Sequence, residues 1–364
     1  MFVSMKRLVI CLDGTWNRAD QEANGVPCPT NVVQLAFRTA KRDDGVVQCV
    51  YYDQGVGTGN LVDRLSGGAF GEGLNDNIYA AYRFLLANYE LGDQLFLFGF
   101  SRGAFTARSL GGMIRKCGIL RRGSVREYRA AVQLYRGPEH PDDPGPAGFR
   151  ERHSVAGSGP TPIRFMGVWD TVGALGIPLR GLRWLTRRQY QFHDTELSGS
   201  VQSAYHALAV DEHRAPFEPT LWTYVPKAGQ TVEQVWFCGA HSDVGGGYAE
   251  SQLSDIALDW MLAKARAAGL ALDAEAMQAY PVTPDHRARP HNSATGLYRL
   301  VPGENRTIGV VTAADGAPPA GPPAPDPTQS LHDSVRRRWD DFPGYRPRSL
   351  RDYFRLVGDP RASQ

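Results

Sequence analysis

The sequence predicts an α/β fold, a mostly parallel sheet flanked by helices with loop and helical insertions, and three observations point to it. Five short runs are apolar without polar alternation: residues 8–12, 46–52, 95–98, 163–169 and 235–238. Each run ends in a small or polar cluster. Between and after them lie segments with apolar residues at helical spacing, residues 74–87, 104–114 and 256–268. Strands apolar on both faces need a helical layer on each side, and strands alternating with helices pair in parallel through crossovers. In such sheets the functional groups gather at the carboxyl ends of the strands.

Along the chain, the first run, Leu8-Val9-Ile10-Cys11-Leu12, meets Asp13 at once and has no small-residue cleavage site after it, so it reads as a strand and not as a signal peptide. No uncharged apolar stretch is long enough to span a bilayer. The expectation is a cytoplasmic protein by default, with secretion by a signal-less route open and no stable membrane insertion. Charge is balanced, 40 basic against 38 acidic residues, which gives no electrostatic pull toward nucleic acid. Protein partners and oligomeric state are left open. The five cysteines, Cys11, Cys28, Cys49, Cys117 and Cys238, are scattered without metal-ligand spacing and read as reduced thiols. Neither a metal nor another cofactor is called for.

The remaining segments set the domain reading. Residues 137–159 and 313–327 are rich in proline and glycine and read as surface loops or linkers. Residues 1–312 are therefore taken as one catalytic domain with an insertion or loop region at about 137–160. Residues 313–329 form a linker, and 330–364 a basic segment packed on the same domain. Residues 200–212 carry a helical pattern that makes His206 a packing histidine. The glycine-rich stretch 53–59 lacks the dinucleotide spacing and suits a lip beside a cleft.

Gly99-Phe100-Ser101-Arg102-Gly103 fits G-x-S-x-G, and it sits after an apolar strand and before a helix-forming run, where that motif needs to be. This context points to a serine nucleophile and an α/β-hydrolase-type sheet. The backbone N–H of Arg102 is the expected first oxyanion donor, and Gly14 or Thr15, in the loop closing the first strand, the second. A serine hydroxyl also needs a base and an orienting carboxylate. His241, just beyond the strand 235–238 among small residues, is the first choice of base, with His332 in reserve. Asp170, ending the run 163–169, is preferred as the acid; Asp243, two residues from His241, is its rival. Asp13 beside the oxyanion loop would oppose developing negative charge, so it either turns away to hold the loop, forms an Asx turn, or pairs with Arg102. Two other readings stand beside this one. Asp13, His241 and Asp243 could form a metal-dependent phosphohydrolase site, or the chain could be a non-catalytic module on a hydrolase fold.

Six motifs in order add a resemblance. LDGTWN at 12–17, DQGVGTG at 53–59, GFSRGAFTAR at 99–108, GVWDTVGALG at 167–176, HALAVDEHR at 206–214 and GAHSDVGGGY at 239–248 resemble the α/β-hydrolase domain family typified by type VI secretion phospholipase effectors. The resemblance implies a serine hydrolase acting on an ester or lipid substrate, with Ser101, Asp170 and His241 as the triad. It thereby favours Asp170 over Asp243.

Overall fold

The computed structural model describes residues 5–15, 17–55, 67–173, 197–223, 227–294, 303–311 and 323–364. Eight strands form one sheet: β1 (Lys6–Leu12), β2 (Arg42–Asp43), β3 (Val46–Asp53), β4 (Gln94–Phe100), β5 (Phe165–Trp169), β6 (Ser203–Ala209), β7 (Thr231–Phe237) and β8 (Gln329–Leu331). Their order is β8-β7-β6-β5-β4-β1-β3-β2. Every pairing is parallel except that of the short edge strand β2 with β3. The helices used below are α1 (Asn31–Arg38), α2 (Gly67–Asn88), α3 (Arg102–Cys117), α4 (Tyr128–Arg136), α5 (Pro144–His153), α6 (His241–Gly245), α7 (Gln252–Ala267), α8 (Asp333–Asp341) and α9 (Arg348–Val357).

The alternation of side chains along β1 explains why residues 8–12 are apolar throughout. Val9 and Cys11 enter one buried cluster with Val32 and Leu35 of α1, Leu258 and Met261 of α7, Trp339 of α8 and Phe354 of α9. Leu8, Ile10 and Leu12 enter the other, with Tyr82 and Leu85 of α2 and Leu110 and Ile114 of α3. Over residues 8–12 each face of the strand meets its own helical layer, so no position there is left for a polar residue.

Two expectations are corrected. Residues 203–209 are the central strand β6, not a helix, and His206 is buried within it. The segment is alanine- and leucine-rich, which favours helix in isolation, and burial on both faces removes the alternation that would mark a strand. Within the proline- and glycine-rich stretch 137–159, residues Pro144–His153 form α5, with its prolines in the first turn, where their missing N–H costs nothing.

Registers bring the strand ends level. Leu12 pairs with Asp53 on one side and Gly99 on the other, Phe100 with Trp169, and Ala209 with Phe237. The connection leaving β1 leads to β3 on one side, whereas β4 lies on the other. The carboxyl ends of β1 and β4 therefore flank the point where the winding reverses, the usual place for a ligand crevice. Trp16, residues 56–59 of the glycine-rich stretch and residues 174–176 lie outside the described residues.

Candidate active site

β4 ends at Phe100 and α3 begins at Arg102, leaving Ser101 alone on the turn. Its backbone sits at φ 57° and ψ −123°, a conformation that costs a residue with a side chain about 1–3 kcal/mol. The flanking glycines follow from crowding. A Cβ on Gly99 would lie 2.5 Å from Gly103 O, and one on Gly103 would lie 2.2 Å from Leu12 O. The turn is tied to the neighbouring strand by the Ser101 N–H, which donates to Trp169 O at 3.0 Å.

Asp170 follows β5, the strand next to β4, and it too has a positive φ, 37°. Its N–H donates to Ala207 O at 2.7 Å. His241 opens α6 beyond β7. The three side chains meet in a line: Ser101 Oγ lies 2.8 Å from His241 Nε2, and His241 Nδ1 lies 2.6 Å from Asp170 Oδ2. All three are buried. The imidazole lies between the rings of Phe100 and Phe217, with centroids 4.6 and 4.9 Å away, which restricts it to this orientation.

Asp170 is the most heavily hydrogen-bonded group of the three. Beyond His241 it accepts from the Ala209 N–H at 3.0 Å and from both terminal nitrogens of Arg306, at 2.5 and 2.9 Å. Burial pushes its carboxyl up, but the Arg306 charge and the hydrogen bonds from His241 and Arg306 outweigh this and hold it well below the usual carboxylate range. An ionised Oδ2 requires the proton on Nδ1, which leaves the Nε2 lone pair facing Ser101. Behind the loop, His206 Nε2 accepts the Thr171 N–H at 3.1 Å, while burial and the Arg108 charge push its imidazole down to about 3. His206 is thus a neutral support for the turn that carries Asp170.

Arg306 is absent from the sequence reading. Its only signal there is its place directly before the apolar run Thr307-Ile308-Gly309-Val310-Val311. Glu212, within the HALAVDEHR motif, accepts the His241 N–H at 3.3 Å and is gripped by Arg214 at 2.8 Å.

The oxyanion candidates separate. Arg102 opens α3, where the positive end of the helix dipole lies. The loop after β1 stands beside the serine, since a Cβ on Gly14 would lie 3.1 Å from Ser101 Cβ. The Gly14 N–H, however, donates to Asp13 Oδ1 at 2.7 Å and is already engaged. Thr15 comes next, with its Oγ1 buried and lacking a partner among the described residues. Asp13 adopts the loop-holding role: it accepts from Thr30 Oγ1 at 2.7 Å, Tyr52 OH at 2.9 Å and Asn17 Nδ2 at 3.4 Å. Burial pushes its carboxyl up to about 6, against the pull of those hydrogen bonds.

The other candidates lie elsewhere. Asp243 accepts from the Ala240 N–H at 2.9 Å and from His291 Nδ1 at 2.6 Å. His332 caps α8, bonding Ser334, and stacks on Phe237. Asp13, His241 and Asp243, the donor set of the metal-dependent reading, each face different partners and do not converge.

A helix-flanked, mostly parallel sheet with a serine on the elbow between β4 and α3 is an α/β-hydrolase-type fold. The chain belongs to the Tle1-like phospholipase effector family of the type VI secretion system (T6SS): residues 6–264 match that family's catalytic-domain model. It is 29% identical over 252 residues to the uncharacterized protein YEL023C of Saccharomyces cerevisiae, a match covering 62% of this chain and 34% of that protein. Among solved structures it is similar to an uncharacterized protein from Pseudomonas aeruginosa, with a TM-score of 0.47, 20% identity, and coverage of 74% of this chain and 46% of the other. It is also similar to a Tle1 effector bound to the VgrG spike of the Type 6 secretion system, with a TM-score of 0.38, 20% identity, and coverage of 67% and 51%. The chain spans about a third of the yeast protein and about half of each solved neighbour.

Proposed function

We propose that this chain is a serine-dependent carboxylic ester hydrolase of the lipase or phospholipase kind. The observation that carries the reading is the hydrogen-bonded line Ser101–His241–Asp170 at the strand ends. Ser101 Oγ attacks the ester carbonyl while His241 Nε2 takes its proton, and Asp170 stabilises the imidazolium that forms. The backbone N–H groups of Arg102 and Thr15 stabilise the tetrahedral oxyanion. The intermediate collapses as His241 protonates the leaving alcohol, and a water activated by the same histidine releases the acyl group from Ser101. No step requires a metal or cofactor.

Family membership supports a phospholipid as the substrate and signal-less secretion as the route, and no helix among the described residues is long and apolar enough to cross a membrane. We read residues 1–312 as the catalytic unit with 330–364 packed upon it, since β8 pairs with β7 and Trp339 and Phe354 enter its core. A fluorophosphonate probe should label the wild-type chain and not Ser101→Ala; equal labelling of the two overturns the serine assignment. A hydrolysis screen across short acyl esters, long acyl esters and phospholipids then ranks the substrates. Turnover confined to short esters would remove the lipid reading while leaving the mechanism standing.

A further inference from the structure

Arg306 lies beyond the end of the family match, yet its guanidinium is buried against the candidate acid. Nη1 and Nη2 each donate to a different oxygen of Asp170, and the same two nitrogens also donate to Ala209 O at 2.8 Å and Phe217 O at 2.6 Å. A planar fork on a planar carboxylate fixes the carboxylate's plane as well as its position. The two carbonyls fix the fork in turn. Phe217 also contributes the ring that stacks edge-on against His241, so one short segment braces both the arginine and the imidazole.

We infer that Arg306 is a positioning residue for the reaction, acting through Asp170: it aims Oδ2 at His241 and supplies a fixed positive charge behind the carboxylate. This inference rests on the reading of Ser101 as the nucleophile. A buried Asp–His pair with no other charge nearby tends to hold an extra proton, because the imidazolium is stabilised by the carboxylate. A permanent cation on the far side of that carboxylate opposes the extra proton, and removing it would favour that proton.

Glu212 approaches the His241 backbone but is gripped by Arg214 through two hydrogen bonds at 2.8 and 2.9 Å. His206 is neutral over the working range, held so by burial and the Arg108 charge. Among the described residues, Arg306 is the permanent cation in contact with Asp170.

The test measures the rate of fluorophosphonate labelling from pH 5 to 9 on the full chain, comparing wild type, Arg306→Gln and Arg306→Lys, with circular dichroism to confirm folding. Glutamine removes the charge and keeps a donor. Its acid limb should move up by about one pH unit, the low end of what a charge at this range does to a titrating group, while its high-pH plateau falls by no more than about tenfold. Lysine keeps the charge without the fork, so its limb should stay at the wild-type position while its plateau falls. A glutamine limb superimposed on wild type, or losses equal at every pH in both variants, assigns Arg306 a purely structural role and overturns the inference. Should Arg306→Gln fail to fold, Arg306→Met replaces it as the neutral variant: a limb moved up relative to Arg306→Lys supports the inference and superimposed limbs overturn it. A wild type that is not labelled at Ser101 fails the nucleophile reading; a labelled wild type with an unmoved glutamine limb fails Arg306 alone.

Discussion

The segment 239–248 holds two Asp–His contacts of equal length and unequal meaning. His241 Nδ1 lies 2.6 Å from Asp170, and Asp243 lies 2.6 Å from His291 Nδ1. The difference is what the second ring nitrogen faces. For His241 it is the hydroxyl of a serine held in a strained turn. For His291 it is the carboxylate of Glu250, an exposed residue, at 3.4 Å, while Tyr248 stacks on the ring at 3.8 Å. Asp243 also bonds the Ala240 and His291 N–H groups, which is how a carboxylate shapes a loop. An aspartate two residues from His241 in sequence is therefore bonded to the loop, and one 71 residues away is its hydrogen-bond partner. A short Asp–His distance identifies a base only when a nucleophile completes it.

The sharpest way to break this contrast is to remove each carboxylate in turn. Asp170→Asn should lower ester hydrolysis by about 10³–10⁴-fold through loss of the correct tautomer. Asp243→Asn should lower it by less than about tenfold, and the reverse ranking would exchange the two roles. Next in size is the elbow itself. Gly103→Ala places a methyl against the Leu12 and Asp13 carbonyls, and should cost about 3 kcal/mol or more in urea unfolding. His291→Ala should leave fluorophosphonate labelling intact and lower stability by about 1–3 kcal/mol, because Asp243 loses a partner while remaining buried.

The smallest effect concerns Asp13, whose carboxyl is raised to about 6. A carboxyl raised in the fold favours folding when protonated, and that contribution is lost as pH rises from about 4 through 6. The stability advantage of wild type over Asp13→Asn should therefore be larger at pH 4 than at pH 7, by on the order of 1–2 kcal/mol. An advantage that grows with pH would mean that the carboxylate, and not the acid, is what Thr30 and Tyr52 hold.

How much of this is legible in the sequence depends on the range of the signal. Ser101, Asp170 and His241 are legible because each stands at the end of an apolar run, and strand ends in a parallel sheet converge. The steric demand for Gly99 is likewise written locally, whereas that for Gly103 comes from the carbonyls of Leu12 and Asp13 on another strand end. β6 is not legible, since burial on both faces removes its alternation and its alanines suit a helix equally well. Arg306 is the extreme case. Its partner is 136 residues away, and no nearby residue signals that an arginine there will be buried. The engagement of the Gly14 N–H by Asp13 depends on the rotation of one side chain, which no pattern encodes.

From β4 outward the sheet is laid down in chain order, β4, β5, β6, β7 and then β8. Each strand pairs with the one before it in the chain, so the sheet extends toward one front and no connection threads between paired strands. That front is also the sheet's liability while it remains open, because an uncovered parallel edge accepts any strand offered to it. β8, only three residues long, covers Gln234–Trp236 through its pairing at Gln329–Leu331 and leaves only a short strand at that edge. A proline introduced at Ser330 would reopen that edge, and the symptom would be self-association during refolding rather than a change in turnover by chains that had folded.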